Sequence, residues 1–292
     1  MLDARSRERN SSRSLLAGVL GGAAVLLAAG CVSVTAEPRA VLTRDDGSVY
    51  VQMLECPHAV AHAVNLHSLP ARGGLDSGAI RVVSWNIHKQ SDPGWQRDLR
   101  TFTTGNDIIL LQETVLDRPL RDLIDGEGLR WVMASSFLRS GADIGVLTAS
   151  RVPPTSSCTE RVVEPLLRLP KSAIISWFPL KGRGDTLAVV NVHAINFSLS
   201  LGAYRAQFRA LGDALAGYEG PLILAGDLNT WTAARSQAVR HVAKRLGLTE
   251  VRFANDRRSK FFGHELDHIY TRDLALISSM TMVVRSSDHN PV

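Results

Sequence analysis

Four apolar runs in this chain of 292 residues end in groups that could do chemistry. Run 80–85 ends in Asn86, 107–112 in Glu113 and 187–192 in His193, while 222–225 leads into Gly226-Asp227-Leu228-Asn229. An acid-histidine pair, Asp288-His289, and Asp267 within the run 266–270 add to them. An apolar strand has no structural use for a carboxylate, an imidazole and two carboxamides at its tip. In layered α/β domains such groups gather at strand ends, where the sheet positions them and loops form a cleft. Carboxylates and carboxamide carbonyls are hard oxygen donors of the kind Mg²⁺ takes. A carboxylate beside an imidazole fixes its tautomer and keeps it basic or cationic. Asp227 and Asn229 flank Leu228, so in an extended segment both side chains would reach one face, the alternative being an Asx turn that closes the strand. His268 alternates away from Asp267, which reads as packing or an outer hydrogen bond.

The elements that must hold these groups are legible as period. The four runs above, with 131–134, 144–148, 173–178, 266–270 and 280–284, are short and rich in Val, Ile and Leu, as expected of strands buried on both faces. Trp95, Leu99 and Phe102 fall at i, i+4, i+7, and Tyr204, Phe208, Leu211 and Leu215 make a second helical stripe with Gly217 as its stop. A third helix is expected over 233–246, with Val239, Val242 and Leu246 on one face. About nine strands and three helices predict one layered α/β domain over 79–292. The stretch 31–78, with Pro38, Pro57, Pro70 and Arg72-Gly73-Gly74, reads as tether and N-terminal extension with one strand near 48–53.

Composition narrows the class without naming an activity. Hydrophobic residues at 45% and charged residues at 21% exclude a disordered or fibrous chain, and nothing suggests a polytopic membrane protein. The formal charge of +5 leaves anionic partners open but is too mild to name nucleic acid. Residues 1–30 read as an export signal: Arg5, Arg7, Arg9 and Arg13 against Asp3 and Glu8, then the uncharged run 15–29. That run is shorter than the roughly 20 residues a spanning helix needs. The segment Leu27-Ala28-Ala29-Gly30-Cys31 resembles a bacterial lipobox, in which Cys31 would be lipidated; plain cleavage and an uncleaved anchor are the other readings. All three place the folded part outside the cytoplasm, in periplasm or envelope. There Cys56 and Cys158 could form a bridge or stay as two thiols.

In order along the chain, Ser84-Trp85-Asn86-Ile87, Leu111-Gln112-Glu113-Thr114, Asn191-Val192-His193-Ala194, Gly226-Asp227-Leu228-Asn229, Leu266-Asp267-His268 and Ser287-Asp288-His289-Asn290-Pro291-Val292 resemble the motifs of the endonuclease/exonuclease/phosphatase superfamily. The resemblance extends from about residue 80 to 292 and is nearest in flavour to an uncharacterised bacterial subgroup. It implies a deoxyribonuclease I-like four-layer α/β sandwich, two packed mixed sheets flanked by helices. It implies a divalent-metal phosphodiesterase using Mg²⁺ or Mn²⁺, held by Glu113 with Asn86 and Asp288. By the same resemblance Asp227 and Asn229 orient the attacking water, Asp267 orients His289, His193 contacts phosphate and protonates the leaving group, and Asn196 is a second phosphate contact or a loop cap.

The substrate stays open at this level. His88, Val115, and Thr230-Trp231 stand where apurinic endonucleases and inositol polyphosphate 5-phosphatases carry other residues. A nuclease-like phosphoester hydrolase is the first reading. Arg252, Arg257, Arg258 and Lys260, with Lys181 and Arg183, could then contact a polyanion. The alternatives are a phospholipid-directed phosphodiesterase, for which Phe261-Phe262 is the only candidate contact, and a non-catalytic envelope lipoprotein that binds an anionic partner. Nothing in the sequence fixes an oligomeric state.

Overall fold

The computed structural model describes residues 31–292 apart from 45, 57–72 and 199; the expected export signal, 1–30, lies outside the described residues. The first sheet has the order β3 (Val49–Gln52), β2 (Arg39–Thr43), β7 (Arg130–Arg139), β8 (Ala142–Ser150), β6 (Ile108–Val115) and β5 (Val82–Asn86), with β1 (Val32–Ser33) also on β7. The second has the order β13 (Thr249–Glu250), β16 (Asp267–Arg272), β12 (Leu222–Asp227), β11 (Thr186–His193), β10 (Pro170–Lys181) and β4 (Leu75–Asp76), with β9 (Ser156–Val163) on β10. Both are mixed: β5–β6 and β11–β12 run parallel among antiparallel neighbours. A small hairpin, β14 (Lys260–Phe261) and β15 (His264–Glu265), stands apart from the two sheets.

Alternation along the strands builds the layers. Val83, Trp85, Ile109 and Leu111 pack outward against Trp95, Leu99 and Phe102 of α1 (Trp95–Gly105) and Leu120, Leu123 and Ile124 of α2 (Arg118–Gly126). Ala188, Val190, Val192, Leu222 and Leu224 pack outward against α3 (Gly202–Ala214) and α4 (Ala233–Arg245). The intervening residues Ile108, Leu110, Leu187, Val189, Ile223 and Ala225 face one another across the sheets. Each such buried Val, Leu or Ile side chain contributes about 1.5–3 kcal/mol. The result is the four-layer α/β sandwich that the resemblance implies.

Several local features differ from expectation. Residues 280–284 form no strand: Met282 N–H reaches Pro291 O and Val284 N–H reaches the Asn290 side chain, and two such bonds do not make a ladder. Helix α2 has no counterpart in the expected elements, although Asp117 caps it by accepting from Leu120 N–H and a proline follows in its first turn. Part of the stretch read as tether is instead built into the first sheet, because β2 pairs with both β3 and β7. Cys56 and Cys158 are joined as a disulfide. Among the described residues no helix is long and apolar enough to cross a membrane.

Candidate active site

Strand register sets the geometry of the site. In the β11–β12 ladder His193 lies opposite Asp227, and in β12–β16 Asp227 lies opposite Asp267, so three neighbouring strands deliver an imidazole and two carboxylates side by side. Their inward direction follows from period two: His193 continues the face of Val189 and Asn191, Asp227 that of Ile223 and Ala225, and Asp267 that of Ile269. Gly226 makes the close approach possible. Its φ is +141°, and a Cβ there would stand 2.0 Å from Val192 O.

Glu113 breaks the alternation. By period two it would share the outward face of Ile109 and Leu111. A register shift between Leu111 and Thr114 against β8, with Glu113 itself at φ +51°, marks a bulge that re-aims the side chain. Its carboxylate then meets Lys89, stands 4.0 Å from Lys171 Nζ and lies 3.6 Å from His193 Nε2. His193 Nε2 lies 3.5 Å from Asp227 Oδ2 and 2.9 Å from Lys171 Nζ. Asp227 Oδ2 also accepts from Asn86 Nδ2 at 3.0 Å and faces His289 Nε2 at 3.9 Å, while His289 Nδ1 is 2.8 Å from Asp267 Oδ2. Glu113, His193, Asp227, His289 and Asp267 therefore form one chain of near contacts, with Asn86 attached.

These contacts separate the protonation behaviour of like groups. Burial opposes ionisation of Glu113, yet Lys89, Lys171 and His193 together hold its carboxyl well below the usual carboxylate range. Burial pushes Asp227 up to about 6, with Asp267 adding to the shift and His289 opposing it. Burial, reinforced by the Lys171 ammonium, depresses His193 well below the ordinary imidazole value. His289 moves the other way: burial disfavours its charge, but Asp267 and Asp227 raise it to about 10. Near neutral pH the site thus holds a neutral imidazole and an imidazolium.

Of the other expected residues, Asn229 is in the site but not by extension. It is left-handed at φ +48°, and its N–H donates to Asp227 Oδ1 at 3.0 Å, which is the Asx turn; its side chain donates to Ala194 O. Asn196 is committed to the neighbouring loop, accepting from Trp231 Nε1 at 3.0 Å. Asp288 is largely exposed and faces His88, 3.8 Å away. His268 is an outer support, bonded to Glu250 and Thr230. Three of the cations that could contact a polyanion are paired with acids: Arg258 with Asp256, Lys260 with Glu265 and Arg183 with Asp185. Lys181 and Arg183 belong to the β10–β11 turn, at the end of the sandwich opposite His193.

Four supporting residues were not anticipated. Lys89 sits in a turn, His88–Gln90, whose three residues are all left-handed. Gln90 holds that turn in place: its side chain accepts from Val115 N–H and donates to Val115 O, imitating a strand partner for β6. Lys171 is brought to the site by strand pairing, since β10 and β11 are antiparallel and the start of one lies at the level of the other's end. Arg235, only 1% exposed, donates to the carbonyls of Ile195, Asn196 and Asn229 and lies between the rings of Tyr204 and Trp231. It ties together the loops that follow β11 and β12.

The donor set fits a hard divalent cation. Asp227, Asp267 and His289 each offer a ligand atom within 4.8 Å of the others, and Glu113 adds carboxylate oxygens beside the same row, while Asn86 turns its amide nitrogen to Asp227 and its Oδ1 accepts from His88 N–H. A mixed two-sheet α/β sandwich thus brings acids, amides and histidines together at one end of its strands. The match to the model of the Endonuclease/Exonuclease/phosphatase family spans residues 83–289, and the chain belongs to that family. It is 40% identical over 213 residues to a UPF0294 protein of Yersinia pseudotuberculosis, covering 73% of this chain and 82% of the relative. Its fold is similar to that of an endonuclease/exonuclease/phosphatase family protein from Leptotrichia buccalis (TM-score 0.57, 14% identity, 73% and 97% of the two chains). It is also similar to that of the 3′ phosphatase NExo from Neisseria bound to a product DNA hairpin (TM-score 0.53, 20% identity, 73% and 97%). Membership supports a hydrolase at the level of the family, whose enzymes are generally dependent on a divalent metal.

Proposed function

We propose that this protein hydrolyses phosphodiesters by in-line attack of water on phosphorus, with Mg²⁺ or Mn²⁺ as cofactor. The observation that carries the reading is the row His193, Asp227 and Asp267 aligned by strand register, with Glu113 and His289 joined to it at under 4 Å. Glu113 and Asn86 would hold the ion, with Asp288 at the exposed rim; when bound, it would neutralise phosphate charge and the developing alkoxide. Asp227, fixed by Asn86 and by the N–H of Asn229, orients the attacking water and takes its proton. Asp267 fixes the His289 ring so that Nε2 points toward Asp227 and the reacting phosphoryl group. Lys171 contacts a phosphoryl oxygen, where a preorganised donor is worth most, and neutral His193, accepting from the Lys171 ammonium at Nε2, positions it. Asn196 contributes through its bond to Trp231, shaping the substrate loop.

We also place the working protein outside the cytoplasm, a reading supported by the export-type sequence of 1–30 and by the Cys56–Cys158 bridge. Incubation of the protein with bis-p-nitrophenyl phosphate, plasmid DNA, RNA and sphingomyelin, with and without EDTA, tests the activity. Turnover that disappears with EDTA is the expected result. No metal-dependent turnover of any of the four would sink the hydrolase and favour a binding module.

A further inference from the structure

The end of the sandwich that carries the site exposes large apolar side chains on several loops. Phe262 is 75% exposed and Phe261 48%, at the tip of the β14–β15 hairpin, so core packing does not explain that pair. Leu166, 55% exposed, and Leu167 protrude from the β9–β10 turn beside exposed Val163, and Phe197 protrudes from the loop after β11. These loops are joined into one rim. Glu164 in the β9–β10 turn accepts from the N–H groups of Asn196 and Phe197, Asn196 bonds Trp231, and Trp231 packs edge-on against Phe261. Ser259 at the foot of the hairpin donates to Asp288 O, next to His289. An exposed apolar rim on this scale marks an interaction surface.

The N-terminal segment arrives at the same end. In the first sheet Val115 lies opposite Ile144, Arg139 opposite Ala142 and Val32 opposite Arg139, so the chain enters just beyond the level of Glu113. Ser140 N–H donates to Cys31 O, fixing the entry point. In sequence, the uncharged run 15–29 stops only one residue before Cys31. Little chain separates an apolar segment suited to a membrane from the catalytic end of the domain.

We propose that the catalytic end rests on a phospholipid bilayer, with Phe261, Phe262 and the Leu166-Leu167 turn entering the interface, and that the phosphoester reaching the site is a lipid head group. Aromatic and aliphatic side chains on separate protruding loops suit the headgroup boundary. Exposed Arg168 in the same turn suits anionic lipid. A nucleic acid would need a row of free cations along its phosphates, whereas Lys260 and Arg258 beside the hairpin are paired with Glu265 and Asp256. The substrate assignment rests on the hydrolase reading; the docking does not.

The full chain carrying F262W, or E219W at the exposed turn before β12 on the opposite end, is reconstituted into vesicles of phosphatidylethanolamine and phosphatidylglycerol with brominated acyl chains. Circular dichroism confirms that both variants are folded. The emission gained at F262W should shift to the blue and be lost to bromine quenching, while that at E219W is unaffected. Equal quenching of both, or of neither, overturns the docking. So does an F262W shift that requires single-stranded DNA or high protein concentration instead of lipid. Turnover is read separately. Hydrolysis of vesicle lipid, reduced severalfold in F261S/F262S, supports the substrate assignment. Turnover of bis-p-nitrophenyl phosphate but of no lipid overturns that assignment alone, and turnover of neither overturns the hydrolase reading while leaving the docking result intact.

Discussion

Acidic and basic side chains interleave through the site: Lys89, Glu113, Lys171, neutral His193, Asp227, His289, Asp267. Each carboxylate touches a cation or imidazole, so removing one residue changes both the chemistry and the balance of its neighbours. Lys171→Ala and His193→Ala should each lower kcat by about 10²–10³, the usual loss for one preorganised donor, with the melting curve used to verify folding. His289 gives a pH test. Its folded pKa of about 10 lies above the ordinary 6.5, so the stability it contributes is complete below about 6.5 and is lost as pH rises through 10. In EDTA the wild type should therefore lose its stability advantage over His289→Asn across that interval; parallel profiles would contradict the assignment. At this scale the strand-ending residues were visible in the sequence because a polar group after an apolar run is conspicuous. Lys89 and Lys171 were not, because a lysine beside a strand is ordinary until register shows what it faces.

Elements decide whether those side chains converge. The bulge at Glu113, the left-handed turn at His88–Gln90 and the left-handed Asn229 all depart from regular backbone, and all lie in the site. Non-glycine residues in that region cost about 1–3 kcal/mol each unless their surroundings hold them, as Gln90 does for the turn. Gln90→Ala should slow turnover while leaving the global unfolding midpoint nearly unchanged; a normal rate would show that the turn holds itself. Arg235→Met leaves buried carbonyls of two site loops without a donor and should destabilise by roughly 3 kcal/mol or more in urea unfolding. The strands were legible as short apolar runs, since burial on both faces leaves few polar residues, and α1, α3 and α4 by the stripes that burial on one face leaves. The bulge was not, because its signature is an irregularity in pairing. The apolar run 280–284 misled because apolar residues make a strand only where a partner edge is available.

For the whole molecule, two sheets share one inner core, and the disulfide, packed in the outer layer of the second sheet, closes a long loop. Cys56 and Cys158 are 102 positions apart, and opening a loop of that length costs about 4–5 kcal/mol in the chain-entropy account. Cys56→Ser with Cys158→Ser should lower stability by that order in denaturant unfolding, and dithiothreitol should bring the wild type to the same midpoint. The central claim is that side chains drawn from both sheets and from the C-terminal segment act as a single catalytic unit. The most direct measurement compares hydrolysis of bis-p-nitrophenyl phosphate by Glu113→Gln, by His289→Gln and by the double variant. Members of one unit lose activity non-additively, so the double variant should be about as slow as the slower single one. Losses that multiply, or a single variant that keeps the wild-type rate, would contradict it.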